Sequence, residues 1–195
     1  QLVILLLIQV GGMGVVTIAV AIFMFAGKRI GLKQRWVMQE SISAPQVGGI
    51  VRMTGFILKT AFLIEGIGAL LLALRFCPQF GLGRGLWYAV FHSVSAFCNA
   101  GFDLMGVNSP FSSLTDYVGD PLVSNVIAFL IIIGGVGFLT WNDIREHKLH
   151  FRRYRLQSKL ILTTTLALIL TGLLFFLLYE FEQGQWVDMS LWERI

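Results

Sequence analysis

Charged side chains are scarce in this sequence. Asp, Glu, Lys and Arg make up only 13% of the 195 residues, and apolar residues reach 56%. Soluble domains carry about 25% charged and about 45–50% apolar residues. Too few polar side chains remain here to cover the outside of a soluble domain. We therefore expect a polytopic membrane protein or a piece of one.

Cysteine is scarce, and a start signal is missing. The two cysteines, Cys77 and Cys98, form neither a metal-ligand pattern nor a disulfide framework. The sequence begins at Gln1, inside an apolar run, without an initiator Met or a signal-peptide pattern. We expect an internal fragment whose first partner is the remainder of the same chain. The net charge of +4 is small and localised, so we expect no nucleic-acid partner.

Long apolar runs dominate what is present. A helix needs about 20 mostly apolar residues to cross a bilayer. Four segments meet that need: Leu2–Ala26, Ile50–Phe76, Pro121–Trp141 and Leu160–Tyr179. A fifth apolar segment, Leu86–Phe97, would reach only about 18 Å as a helix, short of a hydrocarbon core of about 30 Å. Its length is typical of a re-entrant segment.

The basic residues predict the topology. Six Lys and Arg lie in residues 28–59 and six in residues 145–159, out of 15 in total. By the positive-inside rule residues 28–49 and 145–159 are cytoplasmic, so an even number of crossings separates them. Ile50–Phe76 and Pro121–Trp141 supply two crossings, and Leu86–Phe97 must therefore enter and leave on the outer side. Charge and length thus predict an all-α unit of outer helix, re-entrant half-helix and inner helix.

A glycine pattern occurs twice. Residues 11–17 and 134–140 both read Gly-Gly-x-Gly-x-x-Thr, at an offset of 134 − 11 = 123. Both copies lie in apolar spans that lead into a basic segment, which predicts a duplicated unit. The predicted divisions are an inner helix of a preceding repeat with its cytoplasmic linker (1–35), one complete repeat (50–144), a basic cytoplasmic loop (145–159), and the next outer helix with an external loop (160–195).

These glycines have two interpretations. They are Gly11, Gly12, Gly14, Gly134, Gly135 and Gly137. Close helix packing or a kink beneath a filter is one interpretation. A gating hinge beside a pore is the other. A dinucleotide-binding loop is excluded, because the pattern follows no soluble strand.

The segment from Phe91 to Asp103 predicts a half-length helix followed by an extended turn centred on Gly101. Inside a membrane, non-helical backbone is tolerated only where it is buried in protein or lines a wet cavity. Carbonyl oxygens of such a turn can replace the water shell of a cation. Glycine can adopt dihedral angles closed to other residues, and the negative end of the helix dipole would favour a cation. An ordinary turn is the alternative.

The pore-loop residues resemble those of the Trk/Ktr/HKT superfamily of potassium transporters, and within it the KtrB-type membrane subunits. The matching residues, in a Ser/Thr-x-x-x-Asn-Ala-Gly-Phe pattern, are Ser95, Asn99, Ala100, Gly101 and Phe102. The resemblance implies four potassium-channel-like units around one pathway, in a multi-pass protein of the bacterial inner membrane. The filter would comprise Cys98, Asn99, Ala100, Gly101 and Phe102, although Cys98 stands where a polar residue is expected.

The same resemblance implies a potassium-translocating subunit. K⁺ would be the transported ion, with Na⁺ as an alternative or coupling ion, and no covalent cofactor or other metal is expected. The implied partners are a second copy in a homodimer, a cytosolic nucleotide-binding regulatory subunit of the RCK type, and membrane lipid. A non-transporting scaffold with a re-entrant packing loop is the rival interpretation. An enzyme is not expected, because the spans contain no catalytic pairing.

The polar residues near the loop have simpler predicted roles. We expect Ser93, Ser95 and Asn99 to brace the loop by hydrogen bonds, and His92 to be a hydrogen-bonded packing residue. Asp103 either draws cations to the mouth or is a solvated or capping residue.

Four charged residues fall within the predicted second span, and two of them, Lys59 and Glu65, lie away from its ends. Lys59 can reach the interface by snorkelling, whereas Glu65 lies nearer the middle of the membrane. Intramembrane charges are costly. We therefore expect Glu65 to pair with a basic residue elsewhere in the protein or to stay protonated.

Overall fold

The structure is a computed structural model that describes residues 1–14, 50–107, 111–148 and 150–180, without the side chains of 50–52 and 179–180. The described residues form helices and no strands, which confirms the predicted all-α fold class. The α-helices are α1 (Leu2–Met13), α2 (Ile50–Phe80), α3 (Leu82–Phe97), α4 (Pro121–Val136), α5 (Phe138–His147) and α6 (Leu156–Phe175). Short 3-10 helices form at Met105–Val107, Thr115–Tyr117 and Phe151–Arg153, and a π-helix follows α6 at Phe176–Glu180.

Two of the described helices are long and apolar enough to cross a membrane. They cover Met53–Phe80, with 28 residues, and Leu156–Leu178, with 23 residues. Helices α4 and α5 meet the same criterion when they are taken together as one broken span. Helix α1 is a shorter apolar helix of 12 residues. The rest of the predicted first span, after Gly14, lies outside the described residues.

The chain divides into two compact units. The first comprises Gln1–Ser113 and Leu122–Gly135, and the second comprises Leu114–Pro121 and Val136–Ile195. In the first unit, α3 packs against both α2 and α1. In the second unit, α5 packs against α6.

The turn between α2 and α3 depends on two glycines. Gly81 separates the helices with a φ of +80°, a region that favours glycine. A Cβ atom on Gly85 would lie 2.5 Å from the Cα of Cys77, so only glycine permits this approach. The two helices are therefore held close together from the start of α3.

The pore helix is longer than predicted. Helix α3 begins at Leu82 rather than Leu86 and has 16 residues. Hydropathy alone omits Gly83, Arg84 and Gly85, but the helical hydrogen bonding continues through them. At 1.5 Å per residue the helix still reaches only about 24 Å, short of the hydrocarbon core.

The predicted third span, Pro121–Trp141, is not one continuous helix. Helix α4 ends at Val136, and Gly137 breaks the helix with φ +86° and ψ 153°. Helix α1 ends in the same way at Gly14, with φ +79° and ψ 133°. The two glycines are 137 − 14 = 123 residues apart, which is the offset of the sequence pattern. The predicted kink is therefore present at Gly137.

Candidate functional site

The pore helix leads directly into a tight loop. Helix α3 ends at Phe97, and Cys98 still has a helical φ of −78°. Asn99 and Gly101 then have φ values of +53° and +71°. Such angles are uncommon for residues other than glycine, and Asn is among those that tolerate them best. The loop is therefore held in a conformation that most side chains disfavour.

Ser95 fixes this loop to the pore helix. Its hydroxyl accepts a hydrogen bond from the Phe102 amide at 3.0 Å and donates one to the Phe102 carbonyl at 2.6 Å. The Ser95 carbonyl also accepts a hydrogen bond from the Ala100 amide at 2.9 Å. The predicted bracing role of Ser95 is confirmed.

The backbone groups of the loop are used unequally. The amides of Cys98 and Asn99 donate to the carbonyls of Val94 and Ala96, at 2.9 and 3.1 Å. The carbonyl oxygens of residues 98–101, by contrast, accept no hydrogen bond from any residue that the structure describes. Asn99 and Gly101 are exposed, and Cys98 and Ala100 are partly exposed, so described residues do not cover the loop. Most backbone amides of the loop thus donate to α3 or its side chains, whereas four consecutive carbonyl oxygens have no described donor.

His92 holds the chain that follows the loop. Its side chain is 2% exposed, its Nδ1 lies 2.7 Å from the Tyr88 carbonyl, and its Nε2 lies 3.2 Å from the Leu104 amide. A carbonyl can only accept a hydrogen bond and an amide N–H can only donate one. The contacts therefore assign a neutral ring protonated on Nδ1. The predicted role as a hydrogen-bonded packing residue is confirmed.

Asn99 and Ser93 contact two different helices. The Asn99 amide donates to the Ile131 carbonyl of α4 at 3.3 Å, so this side chain braces the loop as predicted. The prediction for Ser93 is wrong, because its hydroxyl donates to the Glu65 carbonyl of α2 at 2.7 Å. Gly68 leaves room for this contact: a Cβ atom there would lie 2.6 Å from the Ser93 hydroxyl.

Asp103 has a capping contact. Its Oδ1 accepts a hydrogen bond from the Met105 amide at 2.9 Å, at the start of the 3-10 helix Met105–Val107. Of the roles that the sequence left open, capping is the one for which the structure gives a contact.

Glycines bring two helices against the end of the pore helix. A Cβ atom on Gly12 of α1 would overlap the Cys98 thiol, and one on Gly134 of α4 would overlap the Phe97 carbonyl oxygen. A thiol can move aside, but a backbone carbonyl cannot move without its peptide units. The close-packing interpretation therefore applies to these two glycines.

The four remaining glycines of the predicted set lie in other environments. A Cβ atom on Gly11 would meet nothing within 4 Å, and one on Gly135 would lie 3.9 Å from the Asn99 amide nitrogen. Gly14 and Gly137 end helical segments at positive φ. The two copies of the glycine pattern therefore pack differently: Gly134 is in close contact, whereas its equivalent Gly11 is in open space.

A cavity adjoins the loop. Its volume is about 440 Å³, and it lies between α1 and the loop. It is lined by Ile4, Leu7, Ile8, Gly11, Gly12, Cys98, Ala100 and Phe102. Three residues of the predicted filter therefore face the same space as one of the glycine-containing helices.

Glu65 has a neutral partner. Its side chain is 4% exposed, and the amide of Gln9 donates to its two carboxylate oxygens at 2.9 and 3.0 Å. The expected basic partner is therefore not found among the described residues. Gln9 was the signal available in the sequence, because it is the single polar side chain in Leu2–Met13. Sequence reasoning missed the pair because 56 residues separate the two positions.

A second cluster that sequence reasoning missed lies in the second unit. Asp143 is fully buried, accepts hydrogen bonds from the Ser158 hydroxyl at 2.6 Å and the Arg155 amide at 3.0 Å, and forms an ion pair with Arg155 Nε at 3.4 Å. Glu146 and His147 place ligand atoms within 4.8 Å of it. Since Asp143 already has these partners, we interpret the cluster as the link between α5 and α6.

The apolar helices, together with the short helix α3 and its loop, define a helical membrane protein. The chain belongs to the TrkH family, described as cation transport protein, whose model matches residues 1–190. This family consists of transporters, so the expectation that the protein is not an enzyme is confirmed.

Curated relatives support the same assignment. The chain is 42% identical over 182 residues to Ktr system potassium uptake protein B of Bacillus subtilis, covering 93% of the chain and 40% of that protein. It is 38% identical over 195 residues to the potassium/sodium uptake protein NtpJ of Enterococcus hirae, covering 100% of the chain and 42% of that protein. It is also 34% identical over 181 residues to Ktr system potassium uptake protein B of Vibrio alginolyticus, covering 92% of the chain and 39% of that protein. The chain thus spans about two fifths of the length of these relatives. The predicted resemblance to the Trk/Ktr superfamily is confirmed.

Proposed function

We propose that the complete protein carries K⁺ across a bacterial cell membrane, and that residues 98–102 contribute one quarter of its selectivity filter. The observation that carries this proposal is the run of four carbonyl oxygens, at residues 98–101, that accept no hydrogen bond from described residues. Residues 98–101 are exposed or partly exposed among the described residues, so a ligand can reach them. A dehydrated cation is a partner that suits several carbonyl oxygens at once.

The surroundings of the loop support the same proposal. The cavity of about 440 Å³ provides a path beside Cys98, Ala100 and Phe102. Gly12 and Gly134 bring α1 and α4 against the end of the pore helix, as inner helices of neighbouring repeats would do. The matching dihedral angles of Gly14 and Gly137 support the duplicated unit. The break at Gly137 supports a role for this glycine in bending or gating the inner helix.

The names of the relatives favour K⁺ as the transported ion. Two of the relatives described above are named as potassium uptake proteins, and NtpJ as a potassium/sodium uptake protein. Na⁺ therefore remains a secondary cargo or coupling ion in this proposal. A non-transporting scaffold has less support, because the family is described by cation transport.

The proposal includes partners on the cytoplasmic side. The Ktr relatives are named as components of a system. By the family resemblance we include a homodimer and an RCK-type regulatory subunit with bound nucleotide. The basic segment 145–159 would face that subunit and anionic lipid. The Asp143 cluster gives this segment a defined structure, which a docking surface requires.

Uptake of Rb⁺, as a tracer for K⁺, tests the proposed function. The full-length protein, expressed in cells that lack other K⁺ uptake systems, should restore growth at low K⁺ and take up Rb⁺ in preference to Na⁺. A vector without the gene gives the background. A well-expressed protein in the membrane that restores neither growth nor Rb⁺ uptake would contradict the proposal.

Labelling from the two sides of the membrane tests the predicted topology. Cysteines introduced at Gly83 and Ser112 should react with an impermeant thiol reagent from outside, and one at Arg152 should react only from inside. Lys33, a further cytoplasmic position in the prediction, lies outside the described residues. Reaction of positions 83 and 152 from the same side would rule out a re-entrant α3.

A further inference from the structure

The carboxylate of Glu65 lies between an inner helix and the candidate filter. Gln9 of α1 donates to both carboxylate oxygens, at 2.9 and 3.0 Å. On the other side, the Cys98 thiol lies 4.0 Å from Oε1. Cys98 is the first of the four residues, 98–101, whose carbonyls accept no hydrogen bond from described residues. One side chain of α2 thus links α1 to the loop.

The backbone of Glu65 is itself held against the pore helix. The buried hydroxyl of Ser93 donates to the Glu65 carbonyl at 2.7 Å, and Gly68 leaves the space that this contact needs. Because the backbone of Glu65 is fixed, its carboxylate has a defined position relative to the loop. A change in the length or charge of this side chain must therefore be absorbed by Gln9 or by Cys98.

Packing alone does not explain a carboxylate here. The neighbouring contact of α1 with α3 is apolar, and is formed by Ile8, Phe91 and Val94. No described Lys, Arg or His forms an ion pair with Glu65. A buried carboxylate with one amide partner costs free energy that a leucine would not. Hydrogen bonds fix the distance and direction between two groups more strictly than apolar contacts do. The Glu65–Gln9 pair is therefore suited to fixing the position of α1 relative to α2.

We propose that Glu65 and Gln9 are positioning residues of the filter. Their hydrogen-bonded pair fixes α1 relative to Cys98, and thereby sets the affinity of the loop for K⁺ and its discrimination against Na⁺. This inference rests on the proposed function. It adds two residues that lie outside the loop and contact no ion.

A charge-swap experiment tests the pair in the full-length protein. Glu65→Leu and Gln9→Leu each remove the hydrogen bonds. Each should raise the KM for Rb⁺ uptake about tenfold and weaken discrimination against Na⁺ by a similar factor, as expected for the loss of a charge-assisted hydrogen bond. The maximal rate per membrane-inserted protein should change less than about twofold. The double variant Gln9→Glu with Glu65→Gln restores one carboxylate and one amide, and should return KM to within about threefold of wild type.

Ser158→Ala is the matched control, because it removes a buried hydrogen bond to another carboxylate, that of Asp143, and leaves the contacts of Glu65 and Gln9 in place. It should lower the thermal stability of the protein and leave KM and Na⁺ discrimination unchanged. If Glu65→Leu fails to fold, Gln9→Leu and the swap still decide the question. Unchanged kinetics in the single variants, a swap no better than either one, or Ser158→Ala kinetics like those of Glu65→Leu would overturn the inference. Absence of Rb⁺ uptake by wild type would instead refute the proposed function itself.

Discussion

Gly101→Ala in the full-length protein is expected to lower the ratio of Rb⁺ to Na⁺ uptake by about tenfold or more while leaving the amount of protein in the membrane largely unchanged. Gly101 has a φ of +71°, and an added Cβ atom would meet nothing within 4 Å. The change therefore causes no packing clash. It adds about 1–2 kcal/mol of backbone strain, which relaxes when the loop changes its dihedral angles. That relaxation moves the carbonyl oxygens that the filter needs.

Gly81→Ala is the matched control for this prediction. Gly81 has a φ of +80° and open space around it, but it lies in the turn between α2 and α3, away from the loop. The two variants should lose similar stability in thermal unfolding, and only Gly101→Ala should lose selectivity. Equal selectivity in Gly101→Ala and wild type, or equal loss in both variants, would contradict a filter at this loop.

Gly134→Ala is expected to have the larger effect on folding. An added Cβ atom would overlap the Phe97 carbonyl oxygen at the end of the pore helix, so α4 and the loop must separate. Overpacking against a backbone atom costs about 1–3 kcal/mol or more. We expect reduced membrane expression and a lower unfolding temperature. Rb⁺ uptake should fall below about one tenth of wild type, which is the order of magnitude that this loss of free energy corresponds to.

Gly172→Ala is the matched control for Gly134→Ala. Gly172 lies within α6, and a Cβ atom there would meet nothing within 4 Å. Replacing a helical glycine with alanine in open space stabilises a helix by about 0.5–1 kcal/mol. The control should therefore express at least as well as wild type. Normal expression and uptake by Gly134→Ala would show that α4 does not approach the loop as described.

The arrangement around the pore loop was largely predictable from local sequence. Apolar length predicted the described helices, whereas the re-entrant placement of α3 stays a prediction from basic charge and the positive-inside rule. The bracing by Ser95 and Asn99 follows from polar residues placed next to a turn. Helix ends were less predictable: α3 begins at Leu82, and the helix break falls at Gly137, because hydropathy does not register where backbone dihedral angles change.

Contacts between distant parts of the chain were not predictable from one sequence. Glu65 was expected either to pair with a basic residue elsewhere or to stay protonated, and its described partner is the amide of Gln9, on a different helix. Ser93 was expected to face the loop, and it faces α2. In both cases the choice of partner depends on how the helices are rotated about their axes. Apolar residues on all sides of a membrane helix leave that rotation undetermined in the sequence.

Locating Rb⁺ by its anomalous scattering in a structure of the full-length protein would test the filter most directly. The account predicts a bound ion coordinated by carbonyl oxygens of residues 98–101, together with those of other pore loops. Gly101 should lie level with the equivalent residues around one axis. An ion site formed elsewhere, with these carbonyl oxygens hydrogen-bonded to protein groups instead, would contradict the account.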